Sequence, residues 1–342
     1  MATDLDLADL ARRVTAAAQE WAPGCVLSDV VALSGGQSSL TYTALVDGGP
    51  TAGERVVLRV APPGLEPVRN RDVARQARLM RALAGAPGVR VPTVYFEDDG
   101  APPEVPPFHA MNVIPGECLE PIFDAPSAAV ATLVPERALG AAEMLARLHE
   151  VDPVAVGLGA EPATTLEAEV RRWTRAFETV EPAMNDRYLE AEALLLSTMP
   201  PPLRASICHG DYRLGNMLCD GGVVAALIDW EIWTLSDPRL DLAWFCLFTE
   251  EARHPMRSNP EPTSMPADTD LLAAYAAAAG AEPVNLEWFH CLVRYKESAT
   301  SSLLIKRALK AGMDLGSVDW RVSLPALTRE CIERLEAFTP LR

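Results

Sequence analysis

The chain has 342 residues, 49% of them hydrophobic and 23% charged, which is ordinary for a globular protein and enough for two lobes or domains. Its formal net charge of −17 would repel nucleic acid phosphates, and the strongest basic cluster, at residues 69–81, has the spacing of a solvated helix face, so we expect no nucleic acid partner. No apolar run reaches the roughly 18–20 residues of a membrane span, and the acidic start does not resemble a secretory signal.

The first third of the chain has the pattern of a small, mostly antiparallel sheet with one embedded helix, led by a helix within residues 1–24. Apolar residues recur with helical or alternating periodicity between turns rich in glycine and proline. The pattern predicts helices at 4–21 and 72–83 and strands at 26–33, 40–46, 55–60, 91–97 and 109–113. We therefore place an amino-terminal lobe at residues 1–113.

The remaining two thirds are predominantly helical, with a loop and hairpin in the middle. The periodicity predicts helices at 138–150, 166–180, 187–198, 271–279, 286–294, 297–310 and 322–338, and the hairpin region at 207–218 and 223–230. Residues 254–268 carry several prolines and hydroxyl side chains and are typical of a mobile loop. The sequence thus predicts an α+β protein whose second lobe, at residues 114–342, is mainly helical.

The residues that can carry chemistry are concentrated in the hairpin region. Asp211 lies five residues before Asn216 on one short loop, and Asp229 follows thirteen residues further on, at the end of a β-prone run. Phosphoryl transfer needs such a set, because one aspartate must accept the proton of the attacking hydroxyl. A second carboxylate and a neutral amide oxygen then hold Mg²⁺ against a nucleoside triphosphate.

Three runs in this region resemble a known family. They are His-Gly-Asp-x-x-x-x-Asn at 209–216, Ile-Asp-Trp-Glu at 228–231 and Asp-Pro-x-x-Asp-Leu-Ala at 237–243. Together they are similar to the motifs of the aminoglycoside phosphotransferase and choline kinase superfamily, whose members are related to protein kinases. The resemblance is closest to the kinase-like domains attached to some acyl-CoA dehydrogenases, and it extends from residue 33 to about residue 312.

The resemblance implies a bilobal, protein-kinase-like fold and a role for each residue of the motifs. It makes Asp211 the catalytic base or hydroxyl-orienting residue, and it makes Asn216 and Asp229 the magnesium ligands, with Glu231 a lesser candidate for the metal. We expect His209 to orient the loop through backbone hydrogen bonds. We also expect Asp237 and Asp241 to be structural, tethering the loop or capping the helix that follows.

The amino-terminal lobe offers candidates for the nucleotide site. A small, flexible turn between two predicted strands could lay backbone N–H groups over phosphates; its candidate residues are Gly35, Gly36, Ser38 and Ser39. This turn is not a Walker loop, because G-x-x-x-x-G-K-[ST] occurs nowhere in the chain. The run at 111–116 resembles the hinge between kinase lobes, where backbone groups near Asn112 and Val113 would bind the nucleobase. An edge strand that ends in a turn explains this run equally well.

Two positions depart from the kinase pattern. Arg59 stands where the phosphate-binding lysine of the third strand would be, so the charge is retained but its reach and geometry change. On the following helix, Gln76 stands where a glutamate would pair with that lysine. Gln76 could accept a hydrogen bond from Arg59, or Glu66 could substitute as its ionic partner.

The sequence leaves two functions open. The first is a cytoplasmic kinase that uses Mg²⁺ and ATP or GTP to phosphorylate a hydroxyl group of a small molecule. The alternative is a catalytically quiet nucleotide-binding protein or scaffold on the same fold, which Arg59 and Gln76 favour. A hydrolase is disfavoured because neither G-x-S-x-G nor H-E-x-x-H occurs. Seven scattered cysteines without a C-x-x-C pair suit a reducing cytoplasm. The acceptor and the oligomeric state stay undetermined.

Overall fold

A computed structural model of the chain describes residues 5–33, 39–252, 254–313 and 320–341. The chain divides into two compact units. The first is formed by residues 1–116, 156–158 and 225–232, and the second by residues 117–155, 159–224 and 233–342. The first unit therefore takes in the later segment 225–232, which the predicted lobe boundary had placed in the second lobe.

The first unit is built on a five-stranded antiparallel sheet. Its elements are α1 (Leu7–Trp21), β1 (Val26–Ala32), β2 (Leu40–Asp47), β3 (Arg55–Val60), α2 (Val73–Leu83), β4 (Val94–Asp98) and β5 (Phe108–Asn112). The strand order is β1-β2-β3-β5-β4. In β3 the buried residues Val56, Leu58 and Val60 alternate with partly exposed ones, as expected for a strand whose faces differ in environment.

Helix α1 covers part of this sheet with one apolar face. Leu10, Val14 and Ala18 are spaced four residues apart, so they lie on the same side of the helix, and all three are buried in the core that includes the sheet. The helix begins after Asp6, whose carboxylate accepts the backbone N–H groups of Ala8 and Asp9. The predicted helix at the start of the chain is confirmed.

The second unit is mainly helical. Its elements are α3 (Ala128–Ala131), α4 (Val134–Glu150), α5 (Leu166–Phe177), α6 (Tyr188–Ser197), β6 (Ser206–Cys208), β7 (Met217–Asp220), the start of β8 (Val223–Leu227), β9 (Thr234–Ser236), α7 (Arg239–Cys246), α8 (Asp268–Ala279), α9 (Leu286–Lys310) and α10 (Trp320–Ala337). Strands β6 and β9 pair in antiparallel fashion. Among the described residues, no helix has both the length and the apolar character that crossing a membrane requires. The predicted α+β fold class is confirmed.

Helix α9 runs unbroken for 25 residues, where the sequence predicted two helices, at 286–294 and 297–310. The prediction was wrong because polar side chains interrupt the apolar pattern between those ranges. Arg294 and Lys296 are nevertheless buried, at 6% and 9% exposure. The guanidinium of Arg294 forms an ion pair with Glu330 of α10 at 2.9 Å, so a charged residue is accommodated within a packed helix.

The segment between α7 and α8 is irregular, as predicted, but it is anchored where a mobile loop was expected. Asn259 and Thr263 are buried. The Asn259 side chain donates to the carbonyl oxygen of Pro121 at 2.8 Å, and its backbone N–H donates to that of Ile122 at 3.0 Å. These contacts hold the segment against residues 121–124, because losing them would leave buried polar groups unpaired.

Candidate active site

The loop that follows β6 is tethered through backbone groups to helix α7. Asp241 is 1% exposed and accepts the backbone N–H of His209 with one carboxylate oxygen and that of Gly210, at 2.9 Å, with the other. Gly210 has φ of +87°, a conformation that glycine adopts without strain. The buried His209 accepts the N–H of Asp211 on Nδ1 at 3.2 Å. The predictions that Asp241 tethers this loop and that His209 orients it are confirmed.

The carboxylate of Asp211 is held by three side-chain donors. Oδ1 accepts from the indole of Trp244 at 3.0 Å, and Oδ2 accepts from the amide of Asn216 at 2.8 Å and from Nε of Arg213 at 3.2 Å. Burial acts to raise the pKa of Asp211, but the charges of Arg213 and Lys296 and the hydrogen bond from Asn216 outweigh it and lower that pKa below its usual value. The group is therefore an oriented carboxylate at neutral pH.

Asn216 lies beside Asp211 because both belong to one short loop. The residue ends a turn of 3₁₀ helix, Leu214–Asn216, and is 4% exposed. Its Nδ2 donates to the Asp211 carboxylate and also to the Asp211 carbonyl oxygen, each at 2.8 Å. With the nitrogen engaged in this way, the side-chain oxygen Oδ1 is the atom that could serve as a ligand to a hard cation.

Lys296 of α9 reaches this loop, and the sequence reasoning missed it. Its ammonium donates to the carbonyl oxygen of Gly210 at 2.6 Å and lies 3.7 Å from the ring centroid of Trp244. One signal was present in the sequence: the lysines of this chain are Lys296, Lys306 and Lys310, and all other basic side chains of the Lys/Arg type are arginine. A lysine at any position of such a chain is therefore unusual.

Glu120 also contacts this loop, and the sequence reasoning missed it as well. It is 2% exposed, and its Oε2 accepts the N–H of Gly215 at 3.0 Å and lies 3.6 Å from Nη1 of Arg213. Burial raises the pKa of Glu120 to about 7, although Arg213 opposes the shift. Arg213 thus lies between two carboxylates, those of Asp211 and Glu120.

Asp229 lies in the first unit, where it interacts with Arg59. Its φ is +63°, a left-handed conformation that aspartate and asparagine tolerate better than most residues. Arg59 donates to Oδ1 of Asp229 at 3.3 Å and lies 3.9 Å from Oε2 of Glu231. Asp229 and Glu231 are therefore ionic partners of Arg59, whereas Glu66, the suggested ionic partner, is exposed.

The remaining residues of the predicted nucleotide site lie in different situations. Gly35, Gly36 and Ser38 lie outside the described residues. Ser39 is buried just before β2. At the predicted hinge, the backbone N–H of Asn112 donates to the carbonyl oxygen of Thr93 at 3.1 Å, so this group is already used, and Val113 is 43% exposed.

The side chain at the position of the missing glutamate makes a local contact. Gln76 is buried in α2, and its Nε2 donates to the carbonyl oxygen of Asn70 at 3.4 Å. The amide therefore has a partner close to its own helix. Arg59 gains a neutral hydroxyl contact instead, because its Nη1 donates to Oγ1 of Thr41 at 3.2 Å.

A second cluster of potential metal ligands lies next to the loop that follows β6. Atoms of His149, Cys208 and Asp241 lie within 4.8 Å of one another. Burial raises the pKa of the Cys208 thiol well above its usual value, and both Asp241 oxygens already accept backbone N–H groups. His149 lies 2.9 Å from the hydroxyl of Tyr275 through Nδ1. These contacts identify a structural cluster and confirm that His149 packs the end of α4.

An antiparallel-sheet unit together with a mainly helical unit that carries the Asp211–Asn216 loop defines a kinase-like phosphotransferase. The profile of the phosphotransferase enzyme family matches residues 29–289. This match covers well over half of the chain, and the protein belongs to that family.

Sequence relatives are larger proteins. Acyl-CoA dehydrogenase family member 10 of Mus musculus is 34% identical over 224 residues, which cover 62% of this chain and 20% of the relative. The chain spans between 20% and 34% of the length of the first relatives it matches. The similarity is therefore confined to one part of those proteins.

Solved structures share the fold along nearly the whole chain. A protein of Ralstonia eutropha with a provisional aminoglycoside phosphotransferase name is 22% identical with a TM-score of 0.73, covering 95% of this chain and 98% of the other. A thermostable mutant of aminoglycoside phosphotransferase APH(4)-Ia, in a ternary complex with ADP and hygromycin B, is 18% identical with a TM-score of 0.57, covering 89% and 94%. At these identities the likeness shows the fold.

Proposed function

We propose that this protein is a Mg²⁺-dependent kinase that transfers the γ-phosphoryl group of ATP or GTP to a hydroxyl group of a small molecule. In this reaction Asp211 accepts the hydroxyl proton as the acceptor oxygen bonds to the γ-phosphorus. The bond between that phosphorus and the β–γ bridging oxygen breaks, and the nucleoside diphosphate leaves. Residues 1–113 would form the nucleotide-binding lobe and residues 114–342 the lobe that holds the acceptor.

The observation that carries this proposal is the environment of Asp211. Its carboxylate is ionised and is fixed by Trp244, Asn216 and Arg213, as a base or hydroxyl-orienting group must be. The complex of the structurally similar APH(4)-Ia with ADP and a small-molecule antibiotic supports a nucleotide and a small acceptor.

The side chains assigned to the metal fit Mg²⁺ in kind. Asp229 offers a carboxylate that is 39% exposed, and Asn216 offers a carboxamide oxygen, both of which are hard ligands. When bound, the ion would neutralise charge on the phosphates. Arg59 would contribute a guanidinium for a phosphate group, and Val113 would offer backbone groups to the nucleobase.

A catalytically quiet nucleotide-binding protein is the second candidate. It is favoured by the ion pair between Arg59 and Asp229. In this contact the proposed phosphate-binding guanidinium and a proposed metal ligand are paired with each other. Isothermal titration calorimetry separates the two candidates. Tight binding of Mg·ATP or Mg·GTP without product formation would support the quiet protein.

The proposal is tested by incubating the purified protein with Mg·ATP or Mg·GTP and a panel of hydroxylated metabolites, hydroxyacyl-CoA thioesters and aminoglycosides. Release of the nucleoside diphosphate and the mass of the phosphorylated acceptor are measured together. Asp211→Asn should lower kcat by about 10²–10⁴-fold, the usual contribution of a positioned base. Asp229→Asn, which is compatible with the left-handed backbone, should abolish Mg²⁺-dependent turnover.

Asp220→Asn is the matched control, because Asp220 is an exposed aspartate on the neighbouring strand β7. It should leave kcat and KM unchanged. No turnover with any acceptor, or equal turnover of Asp211→Asn and the wild-type protein, would refute the proposed reaction.

A further inference from the structure

The ammonium group of Lys296 lies over the ring of Trp244 and, at a greater distance, over that of Trp173. The residue lies in the middle of α9 and is 9% exposed. Its Nζ lies 3.7 Å from the ring centroid of Trp244 and 6.0 Å from that of Trp173. Indole faces attract cations, and the attraction is stronger where water is excluded. We call Trp173, Trp244 and the Gly210 carbonyl oxygen, which accepts from Nζ, the indole box.

Each indole of the box directs its N–H to a carboxylate. Trp244 donates to Oδ1 of Asp211 at 3.0 Å, and Trp173 donates to Oε1 of the buried Glu169 at 2.7 Å. A carboxylate therefore accepts from each of the two indoles. One of these carboxylates belongs to Asp211, so the indole ring of Trp244 contacts both the Lys296 ammonium and the Asp211 carboxylate.

The charges that face Lys296 are mostly opposite to its own. Burial lowers the pKa of Lys296, and Arg172 acts in the same direction, whereas Glu169, Asp211 and Asp241 favour its charged form. A neutral side chain of similar size would leave the carbonyl oxygen of Gly210 without this donor. Lys296 thus contributes a positive charge and a hydrogen-bond donor, and its side chain also fills space in the core.

We propose that Lys296 is a positioning residue of the phosphotransfer reaction, a fixed internal cation that sets Asp211 through Gly210 and Trp244 and fills a cation site beside it. The inference rests on the proposed function for its effect on catalysis. A consequence for specificity follows, because the box is already filled by the protein's own ammonium group. The acceptor then reaches Asp211 without placing a positive group in the box.

This inference concerns a residue outside the family match. The match ends at residue 289, seven positions before Lys296 and after the first turn of α9. Lys306, on the same helix, provides the contrast: it is exposed, and it donates to the carbonyl oxygen of Thr179, which belongs to neither the loop nor the box.

The experiment removes the side chain and returns its charged end as a separate molecule. Lys296→Ala deletes three methylene groups and the ammonium, which propylammonium replaces in both size and charge. Propan-1-ol has similar size without the charge and is the matched additive. Lys296→Met tests the charge alone if the alanine variant folds poorly, and Lys306→Ala is the control on the same helix.

Lys296→Ala should lower kcat by roughly 10- to 100-fold, the factor that hydrogen bonds to charged groups typically contribute, with the KM for the nucleotide unchanged. Propylammonium should restore part of kcat and raise the Tm of this variant, since it binds only the folded state, and propan-1-ol should do neither. Lys296→Met should match Lys296→Ala in kcat, and Lys306→Ala should behave as the wild-type protein.

A further measurement does not depend on turnover. Hydrogen exchange at the indole N–H of Trp244 should accelerate in Lys296→Ala and slow again with propylammonium. Equal restoration by the ammonium and the alcohol, or an unchanged kcat in Lys296→Met, would overturn the inference. If the wild-type protein transfers no phosphoryl group at all, the proposed function fails, and the exchange and Tm measurements still decide whether Lys296 positions Trp244.

Discussion

Replacement of Gly215 by alanine should displace the guanidinium of Arg213 while leaving the stability of the fold nearly unchanged. A Cβ at this position would lie 2.0 Å from Nη1 of Arg213 and 3.1 Å from Cβ of Glu120. The nearest atom is the far end of a flexible side chain, so the chain can relieve the contact by moving the guanidinium. The movement would take Arg213 away from the carboxylate of Asp211, which it contacts at 3.2 Å.

The size of the effect follows from that contact. A hydrogen bond to a charged group contributes about 1.5–3 kcal/mol, and the lower end applies because both side chains are partly exposed, at 23% and 27%. We therefore expect kcat of Gly215→Ala to fall about tenfold, the equivalent of about 1.4 kcal/mol. The pKa of Asp211 should rise, because Arg213 is the largest of the influences that lower it.

The assay compares two glycines that differ in what they touch. A Cβ on Gly222 would lie 2.0 Å from Oε2 of Glu136, again the end of a flexible side chain, and neither residue contacts Asp211 in the described structure. Steady-state kinetics over a pH range, together with Tm, should show both variants nearly as stable as the wild-type protein. Only Gly215→Ala should have a lower kcat, and the acidic limb of its pH–kcat profile should move to higher pH.

The reasoning would be refuted if Gly215→Ala and Gly222→Ala had the same kcat and the same acidic limb. In that case Arg213 would contribute nothing to Asp211 that its displacement removes. A large loss of Tm in Gly215→Ala alone would instead show that the contact with Cβ of Glu120 cannot relax.

Three further predictions concern stability. Gly140 lies inside α4 with open space around its Cβ direction, so Gly140→Ala should raise the free energy of unfolding by about 0.5–1 kcal/mol, measured as a higher Tm. Asp237 and Arg239 form an ion pair at 2.7 Å with both side chains 2% exposed; Asp237→Asn should cost about 3–5 kcal/mol in urea unfolding because it leaves a buried charge uncompensated. Burial, reinforced by the Arg59 charge, lowers the pKa of His109 to about 3, so the unfolded chain takes up a proton near pH 6.5 that the folded protein refuses, and stability falls as pH drops between these values. From pH 7.5 to 5, His109→Phe should lose about 2 kcal/mol less free energy of unfolding than the wild-type protein, and an equal loss would contradict the assignment.

The parts of the fold that local pattern determines were predicted from the sequence. The alternation in β3 and the spacing of apolar residues in α1 each identify one element without reference to the rest of the chain. Strand β4 begins at Val94, three residues later than predicted, because Pro92 cannot donate to a ladder. The sequence divided helix α9 in two because polar residues interrupt its apolar pattern. Arg294 is paired by Glu330 of α10 and Lys296 by the Gly210 carbonyl oxygen, and periodicity does not reveal such contacts.

The same distinction holds for the candidate site. Asp211 and Asn216 share one loop, so their spacing alone predicts that they meet. Lys296 comes from a helix 86 residues away from its partner Gly210, and Arg59 reaches Asp229 across 170 residues of chain. Contacts of this kind depend on tertiary packing, and local sequence carries no signal for them beyond the rarity of lysine.

Because α9 is one continuous helix, it limits where the protein can be truncated. A fragment ending where the family match stops, at residue 289, would retain Asp211, Asn216 and Asp229 but would cut this helix after one turn. It would also discard α10, whose Leu324 carbonyl oxygen accepts from Ser298 at 3.2 Å. Every signature motif would survive in such a fragment, yet its core would be opened and the loop that carries Asp211 would lose its contact with Lys296.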